Sequence, residues 1–226
     1  MSFFLKSGTD GSYNLTMAGY TGLVIIFVLI LILGNMIFGK NKKSSPKKLA
    51  FSGVAIAIAT LLSMVEIIHM PMGGSVTLFS MLFIVLIGWF YGLGSGLACA
   101  IAYGLLQLLI DPYILSLPQL LTDYILAFGA LGLSGIFADK KHGLVKGYIT
   151  GVLGRLFFSF LSGVIFFGAY APKSVKFFGG KLPLNPYSYS FLYNGAYLFT
   201  EAALTIIIIN IPPVRTALKK VKAMAQ

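Results

Sequence analysis

The stretch "LPQLLTDYILAFGALGLSGIF", Leu117 to Phe137, holds one charged side chain in an otherwise apolar run. Its length and apolarity predict a helix that crosses a bilayer, which takes about 20 residues at 1.5 Å each. Asp123 breaks the pattern, with Tyr124 directly after it. An ionised carboxylate at that depth costs about 3 kcal/mol or more, so Asp123 calls for a partner.

The rest of the chain has the same character. Hydrophobic residues make up 58% of the 226, charged residues 10%, and the mean hydropathy is +0.90. A soluble domain would carry about 25% charged residues. Seven apolar spans are read, at 20–38, 49–68, 76–92, 95–110, 117–137, 147–170 and 189–211. These predict an all-α integral membrane protein.

The net charge of +11 follows topology, not a nucleic-acid surface. Basic residues gather at Lys40–Lys48, at Lys140, Lys141 and Lys146, and at Arg215, Lys219, Lys220 and Lys222. With those three groups on the cytoplasmic side, every span alternates consistently, as the positive-inside rule requires. The weaker set Lys173, Lys176 and Lys181 then falls outside. The N-terminus is placed outside and the C-terminus inside. The resulting division is an external segment 1–19, a transmembrane anchor 20–38, a basic linker 39–48, a membrane body 49–211 and a basic cytoplasmic tail 212–226. The anchor is read as uncleaved because the lysines follow it and do not precede it. The single Cys99 excludes a disulfide framework.

Three acids fall within spans, Glu66, Asp123 and Glu201, against one base, Arg155. Counting about 1.5 Å per residue puts Arg155 and Glu201 at a similar depth on antiparallel helices, so a buried pair is expected. Asp123 has no cation at its own level, which leaves its counter-charge to a ligand. Tyr113, Tyr124, Ser159, Phe167, Tyr189 and Asn194 fall in the same outer half. Singly, each reads as interfacial aromatic or interhelical hydrogen bonding. Together, a carboxylate, an amide, a hydroxyl and several ring faces suit a flat organic cation. No H-E-x-x-H, G-x-S-x-G or phosphate-binding glycine loop is present, which argues against an enzyme or a self-contained ATP-driven pump. His69 and His142 fall on opposite sides, so a shared metal site is not expected. No cofactor is implied.

Several ordered segments resemble the thiamine-specific substrate-binding (S) components of energy-coupling factor transporters. They are "MPMGGSVTLFSML" (70–82), "LLTDYILAFGALGLSG" (120–135), "SGVIFFGAYAPK" (162–173) and "YSFLYNGAY" (189–197). The resemblance covers about 49–211 and implies a six-helix S-component bundle, here with one extra N-terminal transmembrane helix. It implies a thiamine pocket in the outer half, built from Asp123, Tyr124, Tyr113, Phe167, Tyr189 and Asn194, with Arg155 at a basic position. It also implies a transmembrane coupling subunit and two ATPase subunits as partners, in a bacterial cell membrane. The small residues Gly53, Ala55, Ala57 and Ala59 read as helix packing or as a docking face; the resemblance favours docking on the coupling subunit. The departures are Met72 for a usual Gln, Ser159 for a usual His, Glu201, and the anchor. Other readings of the same residues are an S-component for another flat nitrogen heterocycle and a ligand-free membrane scaffold.

Overall fold

The computed structural model describes residues 3–7, 13–22, 25, 45–70, 73–177 and 180–226. The anchor at 20–38, the linker at 39–48 and Met72 lie largely or wholly outside them. The body is helical. α1 (Pro46–Ser63), α2 (Ser80–Tyr91), α3 (Leu93–Ile110), α4 (Leu117–Phe137), α5 (Gly143–Phe166) and α6 (Pro186–Asn210) form the bundle, and α7 (Pro212–Ala225) follows. Five of these, α1 and α3 to α6, are long and apolar enough to cross a membrane.

Two spans differ from the sequence reading. The run 49–68 does not stay helical: α1 ends at Ser63, and Glu66–His69 forms strand β3, paired antiparallel with β4 (Ser75–Thr77). Glu66 therefore lies in a hairpin, where its carboxylate meets His69 Nδ1 at 2.6 Å. The run 76–92 likewise contributes β4 before a helix of only 12 residues. That short helix is central. Ten of the 12 residues of α2 are buried, so neighbouring helices cover it and it need not match the bilayer thickness. Gly92, with φ +84, turns the chain in a single residue from α2 into α3, a conformation that a side chain would strain.

Glycines set the packing of the centre. A Cβ on Gly132 would lie 2.5 Å from the backbone of Leu97, and one on Gly96 would lie 2.7 Å from the Gly132 carbonyl. Helices α3 and α4 thus touch backbone to backbone, the close approach that small residues permit in membranes. Ala55 and Ala59 join this core at 7% and 0% exposure. That pair packs within the chain, whereas Gly53 and Ala57 lie on the exposed side of α1.

The connections at one end are hairpins. β1 (Leu5–Ser7) pairs with β2 (Tyr13–Leu15), and the segment carrying Lys176 and Lys181, between the last two bundle helices, folds into β5 (Ser174–Phe177) and β6 (Gly180–Pro183). Leu15 packs beside Leu108, Ile114 and Tyr124, so the N-terminal hairpin rests on this same end.

At the opposite end the basic tail 212–226 forms the amphipathic helix α7. Leu218 and Val221 pack on the core and Ala225 is buried. Tyr91 donates a hydrogen bond to the Ala225 carbonyl at 3.0 Å, and the Gln226 amide donates to Phe90 at 3.1 Å.

Candidate functional site

Helix α4 is not uniform around Asp123. Over Leu121–Leu126 it widens into π-type turns, and over Ala130–Phe137 it tightens into a 3₁₀ helix. Wide turns of this kind are frequent where a helix presents functional groups. One turn earlier, the 1%-exposed Gln119 donates to Asp123 Oδ2 at 2.7 Å and to the Tyr113 carbonyl at 3.1 Å. Its own carbonyl accepts from Leu115 N at 2.9 Å. Gln119 therefore fixes both the carboxylate and the loop before α4.

Asp123 opens on a cavity of about 380 Å³ bounded by α1, α3, α4, α5, α6 and the β3–β4 hairpin. The lining holds four carboxylates, from Glu66, Asp111, Asp123 and Glu201, against one guanidinium, from Arg155. Low-dielectric walls strengthen that imbalance, so the cavity attracts cations.

The expected Arg155–Glu201 pair does not form as a salt bridge. The Glu201 carboxylate is engaged elsewhere: it accepts from Thr77 N at 3.2 Å, Thr77 Oγ1 at 2.7 Å and Met81 N at 3.2 Å. It therefore ties α6 to the start of α2, where Phe79 sits in the left-handed region with φ 60. The Arg155 guanidinium instead lies 4.1 Å from the centre of the Phe128 ring. It makes a cation–π contact there and no salt bridge to Glu201.

All eight residues expected at the site line this one cavity, but their free groups differ. The Tyr124 hydroxyl donates to the Asp111 carbonyl at 2.9 Å and accepts from Tyr113 N at 2.8 Å, so it braces the loop and leaves its ring to the cavity. The Asn194 amide nitrogen donates to the carbonyls of Ser159 and Ser190 at 3.2 and 2.9 Å, and its oxygen accepts from Tyr197 at 2.8 Å. Its two donors are used, leaving an acceptor lone pair for a ligand. Gly163 makes room for this contact, because a Cβ there would collide with Ser190 Oγ. Tyr113 and Phe167 stack at 5.9 Å and 25°. A ring inserted between them needs about 7 Å, twice the contact distance, so a ligand either stacks on an outer face or parts the two.

Residues beyond those expected complete the wall. Tyr193 and Tyr197 extend the expected Tyr189 into a ladder along α6, with ring centres 5.8 and 5.9 Å apart. Gly74 N donates to the Tyr193 hydroxyl at 3.0 Å, which pins the β3–β4 hairpin to α6. Their spacing of four was the available signal.

The helical body has a counterpart among known proteins. The family model described as Thiamine transporter protein (Thia_YuaJ) matches residues 49–221. The chain belongs to this thiamine transporter family. Thiamine transporter ThiT of Bacillus subtilis is 31% identical over 185 residues, covering 75% of this chain and 91% of that protein. The ThiT of Lacticaseibacillus paracasei is 30% identical over 106 residues, 41% of this chain and 48% of that one. A solved ThiT structure from Listeria monocytogenes superposes with a TM-score of 0.60 at 26% identity, covering 76% of this chain and 95% of that one. Membership makes the chain a multi-pass membrane transport protein and not an enzyme, and the family match runs past residue 211 into α7.

Proposed function

We propose that the cavity is where this thiamine-family S-component captures its vitamin for uptake. The observation that carries the assignment is the charge imbalance around Asp123: a fixed carboxylate in an aromatic-walled cavity, with no salt bridge to it among the described residues. Thiamine supplies the complement, a flat aminopyrimidine joined to a permanently charged thiazolium ring. Asp123 faces the thiazolium charge, oriented by Gln119. Tyr113, Phe167 and Tyr189 supply ring faces, and the Asn194 oxygen accepts from the aminopyrimidine.

The cavity end faces outside and the α7 end faces the cytoplasm, as the distribution of lysines and arginines favours. In the cycle that the family resemblance implies, the loaded protein docks on a membrane coupling subunit, topples, and two ATPases supply the energy. The exposed Gly53–Ala57 face of α1 is the docking surface the packing leaves open.

Titration calorimetry of the purified protein with thiamine tests the assignment. Asp123→Asn weakens binding at least tenfold, about 1.4 kcal/mol. Unchanged affinity in that variant removes charge pairing from the account. Ser159, which lines the cavity without a ring, keeps a second reading open, a different flat nitrogen heterocycle. Mass spectrometry of the co-purified ligand separates the two.

A further inference from the structure

A second cavity, of about 550 Å³, lies at the opposite end of the bundle, between the α4–α5 turn and α7. Its charge is reversed. Lys140 and Lys141 line one wall and Arg215, Lys219 and Lys222 the other, against one side-chain carboxylate among the described residues, that of Asp139. The three on α7 are spaced by four and three residues, which puts them on one helix face. Hydrogen bonds latch that face in place. Lys222 Nζ donates to the Ala138 carbonyl at 2.6 Å and lies 4.6 Å from the centre of the Trp89 ring, and its partial burial pushes its pKa down. Lys222 is thus a structural clasp that closes the back of the cavity.

The other four cations have no such engagement. Among the described residues, Lys140, Lys141, Arg215 and Lys219 make no salt bridge. The first turn of α5, which carries no acidic residue, opens on the same cavity and adds the positive end of a helix dipole. Like charges that line one cavity repel one another, a cost that a bound anion reduces. Their position at the end of the membrane helices matches the basic pockets that hold phosphate head groups.

We infer that this cavity binds a phosphate ester, with Arg215 and Lys219 on one side and Lys140 and Lys141 on the other as its ligands. An anionic lipid head group and a soluble phosphoryl compound share that chemistry, and the two sources are separable.

The test is thermal unfolding of the full-length protein in a neutral detergent. Phosphatidylglycerol, phosphatidylcholine or inorganic pyrophosphate is added, each at constant ionic strength. Phosphatidylglycerol is expected to raise the midpoint and phosphatidylcholine not to. The double variant Arg215→Gln/Lys219→Gln is expected to lose at least half of that gain. Lys141→Gln, from the facing wall, is expected to lose part of it independently. Thiamine affinity at the distant cavity, unchanged in all variants, shows that each is folded. A rise with pyrophosphate alone that these variants abolish assigns the site to a soluble phosphoryl compound. No rise with either probe, or a rise that survives in the double variant, overturns the inference.

Discussion

At the scale of single residues, Asp123 and Glu201 show how two buried carboxylates take different roles. Both line the cavity, but Asp123 has one oxygen on Gln119, whereas both Glu201 oxygens accept hydrogen bonds, from Thr77 and Met81. Glu201→Gln replaces an acceptor with an NH₂ group directed at those donors. It is expected to cost about 1–3 kcal/mol of stability, read as a lower melting temperature. Sequence depth counting placed Glu201 level with Arg155 correctly enough to suggest a pair. It failed because backbone and hydroxyl donors at the start of α2 compete for the carboxylate, and those come from a hairpin that apolar composition does not announce. Gln119 escaped notice for a related reason. Its role depends on the Tyr113 and Leu115 backbone returning to it, although its spacing of four from Asp123 was visible.

At the scale of elements, the apolar runs located the bundle helices to within a few residues at most ends. The exceptions lie where polar contacts end a helix inside an apolar run: α1 at Ser63 and the start of α2. Hydropathy alone does not distinguish a membrane span from a short, fully covered helix such as α2. The glycine contact between α3 and α4 gives a sharp expectation. Gly132→Ala forces a methyl group against the Leu97 backbone, so the two helices must separate. It is expected to destabilise by about 1–3 kcal/mol, measured by thermal unfolding. Gly94, with open space at its Cβ position, is the control: Gly94→Ala is expected to leave the midpoint nearly unchanged.

At the scale of the whole molecule, the two ends carry opposite charge, four carboxylates against one cation at one cavity and five cations against one side-chain carboxylate at the other. The basic residues of the C-terminal region were plain in the sequence, but their place on a docked helix was not. That depends on Leu218, Val221 and Ala225 finding the core. Deleting 212–226 exposes that apolar patch and removes the hydrogen bonds to Tyr91 and Ala138. The truncated protein is expected to melt at lower temperature while binding thiamine with unchanged affinity, because the proposed thiamine cavity takes only Arg155, Ser159 and Gly163 from α5, about 18 Å or more along the helix from its first turn.

The placement of Asp123 also has an electrical consequence. In the proposed cycle the cavity moves inward through the membrane potential, which is negative inside. Carrying a lone ionised carboxylate across that field costs about 2.3 kcal/mol per 100 mV. A thiazolium held against Asp123 cancels the charge, and the loaded site crosses without that electrical work. The voltage itself then discriminates between a full and an empty carrier: it opposes inward movement of the empty site and does no work on the neutralised one.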